Sequence, residues 1–403
     1  MNLKIRNSYE HTIYASYIGY ITQAIVNNFL PLLFLTLAAD YDLTLDKITL
    51  ITTINFTVQL CVDFLSAKYI DIIGYRRAII LAHVFAASGL IGLSFLPTLM
   101  FRVCGNAYIG IIISVVLYAL GGGIIEVLIS PIVEACPTKK KETAMSLLHS
   151  FYCWGHVAVV LLSTLFFHFV GIQNWRWMAL LWALVPLFNI VYFSLVPIYP
   201  IAAEHETLSV KGLLKQKVFW LFIVLMICAG ASEQAIGQWV SAFAESALKV
   251  SKTIGDLAGT CAFAICMGTT RAIYGKYGDK IPIKKMMIGS AVACIICYLT
   301  AIVAQNPYVG LLACAFCGFT VGMFWPGTFS IAAIKIPAGG TAMYAFMALA
   351  GDVGCASGSS VVGFVANAMG KNLKAGICVA IIFPLVMLLG VSFLRMKPRK
   401  VDA

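Results

Sequence analysis

A single carboxylic acid, Glu126, stands in the middle of an otherwise uncharged run, between Gly121-Gly122-Gly123 and Pro131. An acid at the centre of a membrane helix costs roughly 2.5–3.5 kcal/mol, so such groups face cavities and serve binding or proton movement. Exchange of a proton with a hydrogen-bonded partner is the chemistry open to Glu126; the alternative is a buried acid held neutral by one hydrogen bond. A second group begins at Glu233, with Gln234, Gln238 and Ser241 recurring at helical spacing on one face. Tyr20, Gln23, Asn27 and Pro31 share a face in the same way, with Asn28 adjoining. Facing amides offer donors and acceptors to neighbouring hydroxyls, or they bond one helix to another. His149, Tyr152 and His156 fall on one side of a further run. Asp352, within Gly351-Asp352-Val353-Gly354, is either a second proton-exchanging group or a bond across a glycine-lined contact. Trp239 beside the amide face, and Phe324 and Trp325 before Pro326, suit ring stacking or aromatic gating, and packing equally.

These groups must be positioned by membrane helices. Of 403 residues, 61% are hydrophobic and 11% charged, too apolar for a water-soluble domain. The apolar stretches mostly reach roughly 20 residues, enough to cross a hydrocarbon core about 30 Å thick. They predict spans near 12–39, 47–67, 78–98, 106–134, 143–170, 176–197, 217–246, 253–274, 284–304, 308–335, 341–369 and 372–394. Asp63, Glu134 and Arg271 are expected near helix ends on the N-terminal side, as gate or structural charges. With twelve spans, Lys and Arg concentrate on the side of the N-terminus, leaving Lys47, Arg102, Arg176, Lys249, Lys252, Lys371 and Lys374 on the other. That bias places both termini in the cytoplasm. The net charge of +11 is spread over short loops and forms no continuous patch, which argues against nucleic acid. The thirteen cysteines lie mostly inside the apolar runs and read as free packing residues, and no His spacing suits zinc.

The chain repeats itself. Gln23-Ala-Ile matches Gln234-Ala-Ile, and Asp71-Ile-Ile-Gly74-Tyr-Arg76-Arg77 matches Gly275-Lys-Tyr-Gly-Asp279-Lys280-Ile-Pro-Ile-Lys284-Lys285. Gly123 precedes Pro131 as Gly318 precedes Pro326, and Thr143-Ala-Met matches Thr341-Ala-Met. Four matches in one order, about 195 to 211 residues apart, indicate two parallel repeats. Residues 1–200 form the first six-helix bundle, 201–216 a cytoplasmic linker and 217–403 the second bundle.

The two Asp-containing loops resemble the signature of the major facilitator superfamily, Gly-x-x-x-Asp-[Arg/Lys]-x-Gly-x-[Arg/Lys]-[Arg/Lys], with Ala67 and Pro282 replacing a glycine in each copy. The resemblance implies an all-α integral membrane protein with twelve transmembrane helices. It further implies that Asp71, Arg76, Arg77, Asp279, Lys280, Lys284 and Lys285 hold one access state closed and release it in the other. Gly121-Gly-Gly-Ile-Ile-Glu126, Leu148-His149-Ser150-Phe151, Gly230-Ala-Ser-Glu233-Gln-Ala-Ile-Gly237-Gln-Trp239 and Met323-Phe324-Trp325-Pro326 are similar to segments of the fucose permease and sugar:proton symporter family. This likeness implies proton-coupled transport of a hexose or related polyol across a bacterial inner membrane. Asn28 stands where that family carries an acid, and Ser130 where it often carries asparagine, so Glu126 would carry the coupling alone or the chain would be a facilitator.

The expected partners are a small solute and the lipid bilayer, with a monomer favoured because one chain supplies a whole pathway. No cofactor is expected; a proton gradient is the energy source. Proton-linked export of drugs or metabolites is the rival within the same class. A membrane enzyme or sensor is the rival outside it, and the sequence shows no nucleophile and base pair, phosphate-binding loop or output domain.

Overall fold

The computed structural model describes residues 8–137, 141–199, 210–277 and 282–394. Among these residues the chain is helical, with no strand. The first half comprises α1 (Tyr9–Asp40), α2 (Leu45–Ile73), α3 (Tyr75–Cys104), α4 (Ala107–Ala135), α5 (Lys141–Val170) and α6 (Trp175–Leu195). The second comprises α7 (Lys217–Ser246), α8 (252–277), α9 (Ile283–Val303), α10 (Pro307–Lys335), α11 (Gly340–Ala368) and α12 (Leu373–Phe393). All but α8 meet a criterion of length and apolarity for crossing a bilayer. The exception is diluted by Lys252, Asp256, Thr260, Thr269, Thr270 and Arg271, and winds as a π-helix over Gly255–Cys261. Residues 201–209 of the linker lie outside the described residues, and a short helix, Val210–Leu214, leads into α7.

Local sequence fixes where the helices start and bend. Asn106 Oδ1 accepts the Tyr108 amide at 3.1 Å to begin α4, and Asn306 Oδ1 accepts the Tyr308 amide at 2.9 Å to begin α10. Pro31 lacks an N–H to donate, and α1 tightens into a 3-10 turn over Leu30–Leu33. Its counterpart α7 is interrupted at Gln238 and Trp239. Arg76 donates to the Phe193 and Ser194 carbonyls at the end of α6, and Lys284 to those of Ser392 and Leu394 at the end of α12. Arg76 and Lys284 thus satisfy helix C-termini within their own half, where orphan carbonyls favour cations. Arg77 and Lys285 are exposed. The Asp71 side chain, and Asp279 and Lys280 entirely, lie outside the described residues.

Within each half the helices pack closely, α3 on α4 and α7 on α11 above all. On α11, Gly354 and Gly358 are one turn apart and lie against the α7 backbone. A Cβ at either would come within 2.1 Å of the Ile227 carbonyl oxygen and 2.3 Å of that of Ala231.

The halves meet through α2 with α11 and α5 with α8. The described hydrogen bonds between them lie at the centre and at the end remote from the termini. Asn367 donates to Asp46 at 2.7 Å, and the Thr53 and Ser360 hydroxyls are 2.5 Å apart. Lys252 of α8 donates to the Leu32 carbonyl of α1 at 2.5 Å and pairs with Asp256 at 3.2 Å. Asp256 also accepts from Ser241 and from Thr164 of α5. Beneath this cluster Leu32, Val160 and Cys261 form a small apolar core drawn from both halves. Lys252 and Asp256 therefore latch the remote end shut, and the sequence reading, which counted Lys252 as a loop charge, missed the pair.

Two outcomes are expected. Gly354→Ala should lower the thermal midpoint in detergent by the equivalent of about 1–3 kcal/mol through overpacking. Gly289→Ala, with nothing within 4 Å of the added carbon, should leave it unchanged. Lys252→Met should loosen the remote end and raise the rate of maleimide labelling of Cys261, buried in the native chain, several-fold by peptide mass spectrometry. An unaltered rate would refute the latch.

Candidate functional site

At the midpoint of α4, Gly121 lies against the α3 backbone and Gly123 against Val62 and the Gln59 backbone of α2, while Gly122 faces the side chains of Gln23 and Gln59. A Cβ at Gly122 would lie 2.8 Å from the Gln23 side-chain oxygen, so the missing side chain is what admits that amide. Gln23 Nε2 donates to Glu126 Oε2 at 2.8 Å and to Gln59 Oε1 at 2.9 Å. Both acceptors fix the orientation of the amide, because a flipped Gln23 would set oxygen against oxygen. Gln59 Nε2 passes the chain on to Asn27 Oδ1 at 2.8 Å, which also accepts from Asn55 at 3.1 Å. Gln238 of α7 then donates to the Asn27 backbone carbonyl at 3.1 Å, carrying the network into the other half. Gln234 completes it by accepting from Gln238 at 2.9 Å and donating to Glu233 at 3.5 Å.

Arg271 pairs with Glu233 at 3.1 Å, joining α8 to α7, and lies 3.5 Å from Cys153 Sγ of α5. The helical count set Arg271 near the end of its span; the structure carries its guanidinium to the central acid instead. Among the described residues the ion pairs are this one and Lys252–Asp256. Glu126, Asp63 and Asp352 have no ion-pair partner there, which leaves them to hydrogen bonds and protons.

Asp63 also differs from the expectation of a charge near a helix end. Its carboxyl oxygens are buried, and it meets Asp352 of α11. Asn55, Gln59 and Asp63 were not singled out as binding groups, although with Thr52 they recur every three or four residues along α2. That period marks one face of a helix.

The remaining candidates take different places. Asn28 donates to the Ala24 carbonyl of its own helix at 2.9 Å. Tyr152 sits against the Asn27 and Asn28 side chains. The His149 side chain lies outside the described residues. His156 is buried and its Nε2 has no hydrogen-bond partner among the described residues. Trp239 is buried and donates to the Ser359 carbonyl at 2.9 Å, with its ring against Phe34, so in this conformation it pins α7 to α11 and α1. Phe324 is buried, whereas Trp325 lies over Gly351 beside Asp352. The site brings Gln23, Asn27, Glu126, Tyr152, Glu233, Gln234, Gln238 and Asp352 together between the halves. The arrangement has the parts to bind a polar solute and to hold protons, and no nucleophile is activated by a base within it. Among the described residues no group of three His, Cys, Asp or Glu is placed to hold a metal.

A profile of the Major Facilitator Superfamily matches residues 16–359. No curated protein matches the sequence. Solved structures of similar fold include a D-xylose–proton symporter, with 15% identity and a TM-score of 0.75 over 96% of this chain and 97% of that one. The xylose transporter of E. coli in an inward-open conformation gives 14% and 0.74, over 98% of each chain. The E. coli fucose:proton symporter gives 15% and 0.64, over 97% of this chain and all of that one. At these identities the likeness is one of fold. From the profile match over most of its length, and from two helical halves closed around a buried polar centre, the chain belongs to the major facilitator superfamily.

Proposed function

We propose that the chain is a proton-coupled symporter of a hexose or a related small polar solute, working by alternating access with Glu126 as the proton carrier. The observation that carries this reading is the Gln23–Glu126 hydrogen bond at 2.8 Å, which ties one acid without a counter-ion to an amide network reaching both halves. An ionised Glu126 accepts a charge-assisted bond from Gln23; a protonated one becomes a donor itself. The change re-poses Gln23, Gln59 and Asn27, and with them the contact that Gln238 makes across the interface. Gln23 Oε1, Asn55 Oδ1 and Thr52 Oγ1 are buried with no partner among the described residues, capacity that a polyhydroxylated solute would satisfy. The symporters of xylose and fucose that share the fold support the choice of a sugar.

The excess of Lys and Arg in loops on the side of the termini supports a bacterial cytoplasmic membrane with both termini inside. A monomer suffices, since one chain supplies both halves, and the proton gradient supplies the energy. One observation favours uncoupled facilitation as the second reading: Asn28, where the sugar:proton symporters carry an acid, is bonded to its own backbone.

The test is uptake of a radiolabelled hexose and pentose panel into proteoliposomes under an inward proton gradient. One sugar should accumulate in the parent, and Glu126→Gln should lose at least about tenfold of the gradient-driven rate. Saturable uptake indifferent to gradient and substitution would establish the facilitator, and no uptake of any sugar would move the assignment to another solute or to export.

A further inference from the structure

Outside the Glu126 network one polar contact between the halves is made of acids alone. Asp63 of α2 and Asp352 of α11 turn their carboxyl groups toward each other. Both oxygens of Asp63 are buried and receive no hydrogen bond from any described donor, and Asp352 is 8% exposed. The titratable groups facing the pair are Glu126 from α4 and Cys355 from α11, with Glu233 of α7 behind them. Arg271 is engaged by Glu233 at 3.1 Å. Two carboxylates are acceptors only, so a hydrogen bond between them requires a proton on one. In a medium of low dielectric, two adjoining carboxyls do not both stay ionised.

The position of the pair gives the proton a mechanical role. From it toward the remote end, α2 and α11 stay in contact through Thr53 with Ser360, Thr49 against Gly363, and Asp46 with Asn367. On its other side Ala345, two turns from Asp352 on the same face of α11, is exposed. The pair therefore lies where the sealed part of the interface gives way toward the end that carries the termini. We propose that Asp63 and Asp352 hold one proton between them across the two halves, and that its release to water at the termini end drives α2 and α11 apart there. This rests on the reading of the chain as an alternating-access carrier and adds a second proton site, distinct from Glu126. Protonated, the pair is a bridge; deprotonated, it is two like charges facing each other from opposite halves.

The test needs no transported solute, so it stands whatever the sugar panel shows. Nitroxides are attached through p-acetylphenylalanine at Ile73 of α2 and Tyr344 of α11, in the full chain in lipid nanodiscs. The separation of the labels is measured by double electron–electron resonance at about pH 5.5 and about pH 8.5. In the parent, the long-distance fraction should rise about threefold or more at the higher pH. Asp63→Asn and Asp352→Asn should each keep the short distance at both values, because the amide donates to the remaining carboxylate without a shared proton. Should one Asn variant fail to fold, the other carries the same test. A parent distribution indifferent to pH, or a shift that survives in both Asn variants, overturns the proposal.

Discussion

Glu126 has to be satisfied in the middle of a helical membrane bundle without a cation, and the hydrogen bond from Gln23 at 2.8 Å does so. Much of the surrounding structure follows from that need. Gly122 of α4 carries no side chain, so the Gln23 amide fits beside it. Gln59 and Asn27 set the orientation of the amide, and Gln238 of α7 reaches across to the Asn27 carbonyl. Asn28 donates to its own helix and meets the network only through Tyr152. The acid is thereby connected to both halves through groups that change donor and acceptor roles when it gains or loses a proton.

Glu233 is served differently. Arg271 neutralises it, and the pair is buried enough that removing one partner would leave a charge stranded, which costs about 3–5 kcal/mol. One acid is thus held by an amide and the other by a guanidinium, in equivalent halves of a duplicated fold. The asymmetry leaves a fixed ion pair on one side of the site and an exchangeable proton on the other.

The architecture was legible in the sequence because membrane helices announce themselves through apolar runs, and the two halves through ordered matches. The Asn-x-Tyr starts of α4 and α10, Asn106-Ala-Tyr108 and Asn306-Pro-Tyr308, are a fifth match of the same kind that only the capping hydrogen bonds made obvious. Glu126, Gln23, Asn27 and Gln238 were legible as candidates from depth and helical spacing. Their connection through Gln59 was not, although Thr52, Asn55, Gln59 and Asp63 lay in plain view on one face of α2. Contacts such as Asp63 with Asp352, or Lys252 with Leu32, join segments more than two hundred residues apart. Periodicity reports a face, and only packing reports what it meets. The same limit misplaced Arg271, whose long side chain brings its charge to Glu233 from a helix that was counted only by its ends.

The central claim is that Glu126 itself takes up and releases a proton within this network. Acid-minus-alkaline infrared difference spectroscopy on the reconstituted chain tests it most directly, because a protonated carboxyl has a carbonyl stretch that a carboxylate lacks. The account predicts a carboxylic carbonyl band, lost on alkalinisation, that is absent from Glu126→Gln and retained in Asp63→Asn. A difference spectrum of Glu126→Gln identical to the parent's would contradict it.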